Sequence, residues 1–374
     1  MGKTLSRTKL KKLHCDSILF FTVIVLVLIG LVMVFSSSGV YAMEKYDDPY
    51  YFLKRQVLWV VLGTLVMFAT RRMDYRYLEK YTYYIVGITF LMLIAIMMPG
   101  LGKEVGGARR WLVLGGFTFQ PSELAKFALV LFIAKSLVKR ADQLKNFAYG
   151  YLPKLIVLGC FFVPILFQPD FGTAMIICAV TFTMLLIAGL RAKFLVYSVL
   201  AIIPLVFSAI MGAEYRTRRI IAFLDPWQDP SDTGFQVIQS FYAFGRGGIL
   251  GTGIGASHQK LFYLPEAHTD FIFSVIGEEL GFVGTLLIVL LFSVVIWRGF
   301  IIAYRAKDSF GTHVASGLTL LLGFQAFINM GVAVGLLPTK GLTLPLISMG
   351  GSSLIVLMLS IGVLLNISEQ PVQH

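Results

Sequence analysis

The feature that most constrains this chain is the recurrence of apolar runs long enough to cross a lipid bilayer. A spanning helix needs about 20 largely apolar residues. That template fits ten stretches: 17–40, 56–70, 83–100, 121–138, 153–168, 171–190, 194–212, 270–297, 312–336 and 344–367. Only 14% of the 374 residues are charged, against roughly 25% in soluble domains, so a water-soluble enzyme is excluded. The 31 Phe, 16 Tyr and 4 Trp exclude a solvated coil. The sequence predicts an all-α integral membrane protein of about ten transmembrane helices, one domain over 1–374. No repeat relates its halves in the manner of inverted-repeat transporters.

The amino terminus carries Lys3, Arg7, Lys9, Lys11 and Lys12 ahead of the first run. That run is longer than a signal-peptide core and has no small-residue cleavage site after it, so it reads as an uncleaved span behind a basic tail, 1–16. With the amino terminus inside, the inner connections hold 19 Lys and Arg and the outer ones 12, of which five belong to one long loop. Long loops weigh little in the positive-inside rule, so both termini are expected to be cytoplasmic. The net charge of +12 then reflects orientation rather than nucleic-acid binding, and no nucleic acid is expected as a partner. Cys15, Cys160 and Cys178 show neither CxxC spacing nor an even count, so they read as small hydrophobes rather than a disulfide or metal framework.

The long outer connection, 212–269, stands apart from otherwise short loops, and long connections in compact proteins are usually functional or disordered. Phe235, Phe241, Tyr242, Phe244, Phe262 and Tyr263 argue against disorder. Apolar positions 237, 238, 241, 242 and 244 suit a short helix lying at the membrane surface or dipping into it. Gly251-x-Gly-x-Gly255 superficially matches a nucleotide fingerprint, but no strand precedes it and it is expected to lie outside the membrane. It reads as a flexible, closely packed loop.

Ionisable groups within spans cost about 2.5–3.5 kcal/mol each at the helix centre, so each needs a partner or a task. Glu123 and Lys126 are three residues apart and share a helix face. They form either a self-neutralising pair or a charged site for something docked at the outer surface. Glu278 and Glu279 are adjacent and cannot share a face, which favours bracing against another helix or backbone amides. Asp270 sits at the interface, where it is either a helix cap or a carboxylate whose basicity burial and a nearby Lys could tune. On the outer side Arg109 and Arg110 with Trp111, then Arg216, Arg218 and Arg219, then Arg246 and Lys340 run against the orientation rule. They are either interfacial anchors or forks for a phosphate-bearing ligand.

Several motifs occur together: Arg109-Arg-Trp111, Gln120-Pro-Ser-Glu-Leu-Ala-Lys126, Gln168-Pro-Asp-Phe-Gly-Thr173, Leu264-Pro-Glu-Ala-His-Thr-Asp-Phe-Ile-Phe273, Gly277-Glu-Glu-Leu-Gly281, Leu337-Pro-Thr-Lys-Gly-Leu-Thr-Leu-Pro345 and Gly350-Gly-Ser-Ser353. Jointly they resemble the SEDS family (shape, elongation, division and sporulation), and its division branch more than its elongation branch. The resemblance runs from the first span to about Asn366. It departs at Met349, where the family usually has Tyr.

The resemblance implies a peptidoglycan glycosyltransferase that polymerises lipid II on the outer face of the bacterial cytoplasmic membrane, at the division septum. It maps the catalytic Asp onto Asp270 and the supporting Lys and Glu onto Lys126 and Glu123. Arg109, Arg110, Trp111, Arg246, His268, Lys340 and Ser352 become candidate substrate-binding residues. The implied partners are lipid II, undecaprenyl-linked glycan, a class B penicillin-binding transpeptidase and other divisome membrane proteins. A divalent cation (Mg or Mn) is compatible with a pyrophosphate leaving group, although no ligand cluster demands one and no cofactor is otherwise implied. A lipid II flippase and a non-catalytic divisome scaffold are the alternatives the same residues allow.

Overall fold

The computed structural model describes residues 15–98, 100–105, 108–114, 117–139, 141–144, 146–198, 200, 223–230, 234–260, 267–339 and 341–370. Arg216, Arg218, Arg219, Lys340, most of the expected span 194–212 and the basic tail lie outside them.

Ten helices organise the described residues: α1 (Ser17–Tyr46), α2 (Tyr51–Arg72), α3 (Arg76–Ala95), α4 (Pro121–Lys139), α5 (Leu152–Phe167), α6 (Phe171–Ile187), α7 (Phe235–Gly247), α8 (Ile272–Tyr304), α9 (Ser309–Ala333) and α10 (Gly351–Ser368). Seven helical segments are long and apolar enough to cross a membrane, and α6 is a shorter apolar one. The all-α membrane bundle therefore stands. The short amphipathic helix expected in the long loop is α7, whose Val237, Ile238 and Ala243 are buried while Tyr242 is exposed.

Burial sorts the helices into an inner and an outer set. α4 is buried on nearly every face, and α9 and α10 on most of theirs, as expected of helices inside a bundle. α1, α2, α3 and α8 turn large apolar residues such as Phe21, Leu65, Leu91 and Leu290 outward. A soluble protein does not tolerate so extensive an apolar surface, whereas lipid covers it without penalty.

Two departures shape the site. The connection 101–120 contains an unexpected three-stranded antiparallel meander: β1 (Gly102–Val105), β2 (Ala108–Leu114) and β3 (Phe117–Phe119). Lys103 pairs with Trp111 and Leu112 with Phe119. The meander delivers the chain to Pro121, the first residue of α4, where a missing N–H costs nothing.

The last span was expected over 344–367 but its helix begins only at Gly351. Pro345 disfavours helix in the residue before it, and Leu346 takes a left-handed φ of 66°. Residues 341–350 instead run as irregular chain with Leu342, Leu344, Leu346 and Ile347 buried. Buried irregular backbone survives only if its polar groups are satisfied. Here Leu344 N–H donates to Ser348 Oγ at 2.8 Å, Ser348 Oγ donates to Thr269 carbonyl at 2.5 Å, and Met349 N–H donates to His268 carbonyl at 3.0 Å.

At the opposite end of the bundle, Arg298 grips the Asp16 carboxylate through Nε and Nη2, at 3.0 and 2.5 Å from Oδ2. Arg71 pairs with Glu369 at 2.5 Å. Asn366 donates to Arg71 carbonyl at 2.7 Å and accepts from Tyr75 N–H at 3.1 Å. These bonds tie α1 to α8 and α2 to α10 at the end of the bundle away from the cavity.

Candidate active site

A cavity of about 540 Å³ opens at the end of the bundle opposite those ion pairs. Its lining gathers Glu123 from α4, Arg110 and Trp111 from β2, His268 and Asp270 from the turn before α8, and Ser352 from α10. Six of the ten candidate residues thus share one wall system, although the chain separates Arg110 from Ser352 by more than two hundred positions.

Asp270 stands just before α8, whose cap residue is Phe271, so the helix-capping reading of its carboxylate is not the one adopted. Gly341 packs against that carboxylate closely enough that an added Cβ would lie 3.2 Å from Oδ2. Asn329 Nδ2 donates to the Asp270 carbonyl at 2.8 Å and to the Leu342 carbonyl at 2.6 Å. One buried amide therefore fixes both banks of the cavity.

Lys126 is 2% exposed and does not line the cavity. Its ammonium lies 2.8 Å from Glu123 Oε2, donates to Glu123 Oε1 at 2.9 Å and donates to Gln325 Oε1 at 3.1 Å. Gln325 Nε2 in turn faces the Thr343 carbonyl at 3.5 Å. Lys126 thus acts on the cavity through Glu123 and through the irregular chain around Thr343. The pair is self-neutralising, and it also presents a carboxylate to the cavity.

Arg110 donates from Nε to the Gln168 carbonyl at 2.9 Å and from Nη2 to the Pro169 carbonyl at 2.5 Å. Those two bonds orient the fork and leave further N–H groups of the guanidinium for a ligand. His268 packs its ring 4.7 Å from that of Phe52 and 6.0 Å from that of Tyr41. Ser352 Oγ accepts from Gln120 N–H at 3.1 Å and so joins α10 to the entry of α4. The family departure at Met349 is harmless to its bond with His268, because the backbone N–H makes it.

Two candidates fall elsewhere. Arg109 points away, half exposed, and pairs with Glu104 at 3.3 Å. Arg246 sits 3.8 Å from Glu278 at the base of the long loop and does not line the cavity. Lys340 lies outside the described residues, beside Gly341.

Residue-by-residue reading overlooked Gln325 and Asn329. Two amides four residues apart in an apolar run mark a polar stripe on one helix face, and that signal was available. Asp170 was also passed over. It caps α6 through Thr173 N–H at 3.2 Å and accepts from Gln120 and Ser122 at 3.3 and 3.4 Å, so it locks the two Gln-Pro motifs together.

Comparison with known proteins identifies the family. Residues 16–373 match the family model for the FtsW/RodA/SpoVE cell cycle proteins. A probable peptidoglycan glycosyltransferase FtsW of Geobacter sp. (strain M18) is 47% identical over 355 residues, covering 95% of this chain and 97% of the relative. Stage V sporulation protein E of Bacillus subtilis (strain 168) is 42% identical over 359 residues, 96% of this chain and 98% of the relative. Among solved structures, a chain from a peptidoglycan synthase complex described as coordinating polymerization and crosslinking superposes with a TM-score of 0.78 at 34% identity, covering 95% of this chain and 98% of that one. RodA of Thermus thermophilus superposes with a TM-score of 0.71 at 31% identity, over 95% and 97%. With the match running almost end to end and the motif residues converging on one cavity, the chain belongs to the FtsW/RodA/SpoVE family of multi-pass membrane proteins.

Proposed function

We propose that this protein is a peptidoglycan glycosyltransferase that polymerises lipid II at the outer face of the cytoplasmic membrane during division. The observation that carries the reading is the cavity in which Asp270, Glu123, Arg110, Trp111, His268 and Ser352 meet, in a family whose relatives bear that activity in their names. The excess of Lys and Arg at the end holding Arg71, Arg298 and Arg305 supports placing that end in the cytoplasm and the cavity outside.

In this reading the donor is the growing glycan on undecaprenyl pyrophosphate, and the acceptor is the GlcNAc 4-hydroxyl of an incoming lipid II. Asp270 takes the hydroxyl proton as that oxygen attacks C1 of the donor MurNAc. The C1–oxygen bond to pyrophosphate breaks, and the anomeric centre inverts. Arg110 faces the departing pyrophosphate, where an oriented fork stabilises charge that develops in the transition state. Glu123 and Lys126 hold the floor of the cavity in shape. No cluster of metal ligands occurs among the described residues, so a divalent cation, Mg or Mn, would enter with the pyrophosphate and would neutralise its charge; chelator titration of polymerisation reads its contribution. The likeness to a chain of a peptidoglycan synthase complex supports a class B penicillin-binding transpeptidase as partner, with other divisome proteins at the septum.

The test is purified full-length protein with its transpeptidase partner, supplied with lipid II. Glycan chains resolved on a gel support the reading. Absent chains together with lipid II translocation in liposomes would replace it with a flippase, and absence of both with a scaffold.

A further inference from the structure

Outside the cavity, the most elaborate local architecture is a break in α8. Gly281 departs from helical geometry at φ 66°, which exposes the Glu278 and Glu279 carbonyls and the Phe282 and Val283 amides. All four are recaptured by one segment of the long loop. Thr252 and Gly253 N–H donate to the Glu278 and Glu279 carbonyls, each at 3.0 Å, and Phe282 and Val283 N–H donate to the Gly248 and Ile249 carbonyls at 2.9 and 3.1 Å. The contact is backbone on backbone: a Cβ on Gly251 would lie 2.2 Å from the Glu279 carbonyl oxygen, and one on Gly281 2.3 Å from Gly251 N. The close contact accounts for Gly251, and left-handed φ values of 103° and 86° account for Gly253 and Gly255, without any nucleotide.

The acidic pair completes the joint. Glu278 accepts from His258 and Gln259 N–H at 3.0 and 3.2 Å and from the Ser257 hydroxyl. Glu279 pairs with Lys260 at 3.0 Å and accepts from Ser36 at 2.7 Å. The four backbone groups freed at the break and both carboxylates therefore have partners in the loop or in α1. Such pairing is what irregular backbone requires at membrane depth.

Two helix lengths match that depth. α1 and α8 are tied at one end by Asp16–Arg298 and at the other by Ser36–Glu279. Twenty residues on α1 and nineteen on α8 separate the ties, about 30 Å at a helical rise of about 1.5 Å per residue, which is the thickness of the hydrocarbon core. Phe282 and Val283 lie a further three to four residues inward, about 5 Å inside that boundary. The loop bonded to them lies at the same depth. Its outward side chains suit that position: Ile249, Leu250 and Ile254 are 71%, 81% and 64% exposed, and they continue the lipid-facing surface of Phe282, Val283 and Leu290.

From these relations we infer that residues 248–254 form a re-entrant loop whose Ile249, Leu250 and Ile254 contact lipid hydrocarbon at the cavity end of the bilayer. The long loop is thereby anchored in the membrane rather than held above it.

Nitroxide labels placed singly at Leu250→Cys and Ile254→Cys, with the three native cysteines replaced by alanine, test this in liposomes of the full-length protein. Leu290→Cys serves as the mid-membrane reference and Glu44→Cys as the water-exposed one. The expected result is severalfold greater accessibility to oxygen than to a nickel chelate at 250 and 254, as at 290. Greater nickel accessibility, as at 44, overturns the inference by placing the loop in water. Low accessibility to both overturns it too, by placing a second copy of the chain on the loop. Both positions are surface-exposed, and if one variant is not monodisperse the other decides.

Discussion

Asn329 reaches the backbone carbonyl of Asp270 at 2.8 Å and that of Leu342 at 2.6 Å with the same amide nitrogen. The proposed base is thus positioned from α9, a helix otherwise remote from it in sequence. Asn329→Leu keeps the volume and strands two buried carbonyls, at about 1–3 kcal/mol each. Loss of alignment at a reacting group can cost about a hundredfold. We expect kcat for lipid II polymerisation to fall by about that factor with KM changed far less, measured by initial rates of chain formation.

Lys126 and Glu123 should behave as one unit. Removing one partner of a buried ion pair costs about 3–5 kcal/mol because the other charge is stranded. Lys126→Met and Glu123→Gln are each expected to lower the thermal midpoint in detergent. The double variant should regain most of that stability while remaining weakly active, since the carboxylate lining the cavity is gone. Thermal scans alongside polymerisation assays separate the two effects.

Arg110→Lys is not a conservative change here. A lysine cannot span the Gln168 and Pro169 carbonyls while keeping donors for a ligand. Charged hydrogen bonds contribute about 1.5–3 kcal/mol, which corresponds to roughly a 10- to 100-fold loss in kcat/KM. By contrast Arg109→Lys, which alters only an exposed pair with Glu104, should leave kcat/KM within about twofold, as exposed pairs contribute little.

At the other end of the bundle, Tyr75 donates to Asp308 Oδ2 at 2.7 Å, and Asp308 caps α9 through Gly311 N–H at 2.7 Å. Burial, reinforced by the Asp308 carboxylate, holds the Tyr75 hydroxyl above the ordinary tyrosine range. A folded-state value raised above the unfolded one stabilises fully below the unfolded pKa of about 10, and that contribution fades as pH rises further. Tyr75→Phe should therefore lower stability by about 1 kcal/mol at every pH from 7 to 9. The gap should narrow above about pH 10, as read from thermal midpoints in detergent.

Much of this could be read from the residues because hydrocarbon imposes a simple rule on length and polarity. Apolar runs located the helices, and each rare ion within them, such as Glu123 or Glu279, proved to have a partner or a task. Where the rule stops applying, legibility stopped too. The meander at 102–119 is three short strands punctuated by glycines, too brief for alternation to stand out. The delayed start of α10 turns on Pro345 and on the bonds of Ser348 to Thr269 and Leu344, which no local pattern announces. Arg246 shared the chemistry of Arg110 but not its location, because only the folded loop brings it to Glu278. The contact of Gln325 with Lys126 joins residues 199 positions apart, and periodicity carries no record of such distances.

Asp270 is the proposed base of a lipid II polymerase. The most direct test of that role is chain formation from lipid II by the purified protein and its transpeptidase partner, comparing wild type with Asp270→Asn, which keeps size and removes the proton acceptor. Long glycan strands are expected from the wild type and none from Asp270→Asn at matched protein levels and thermal midpoints. Strands of ordinary length and rate from Asp270→Asn would contradict that role.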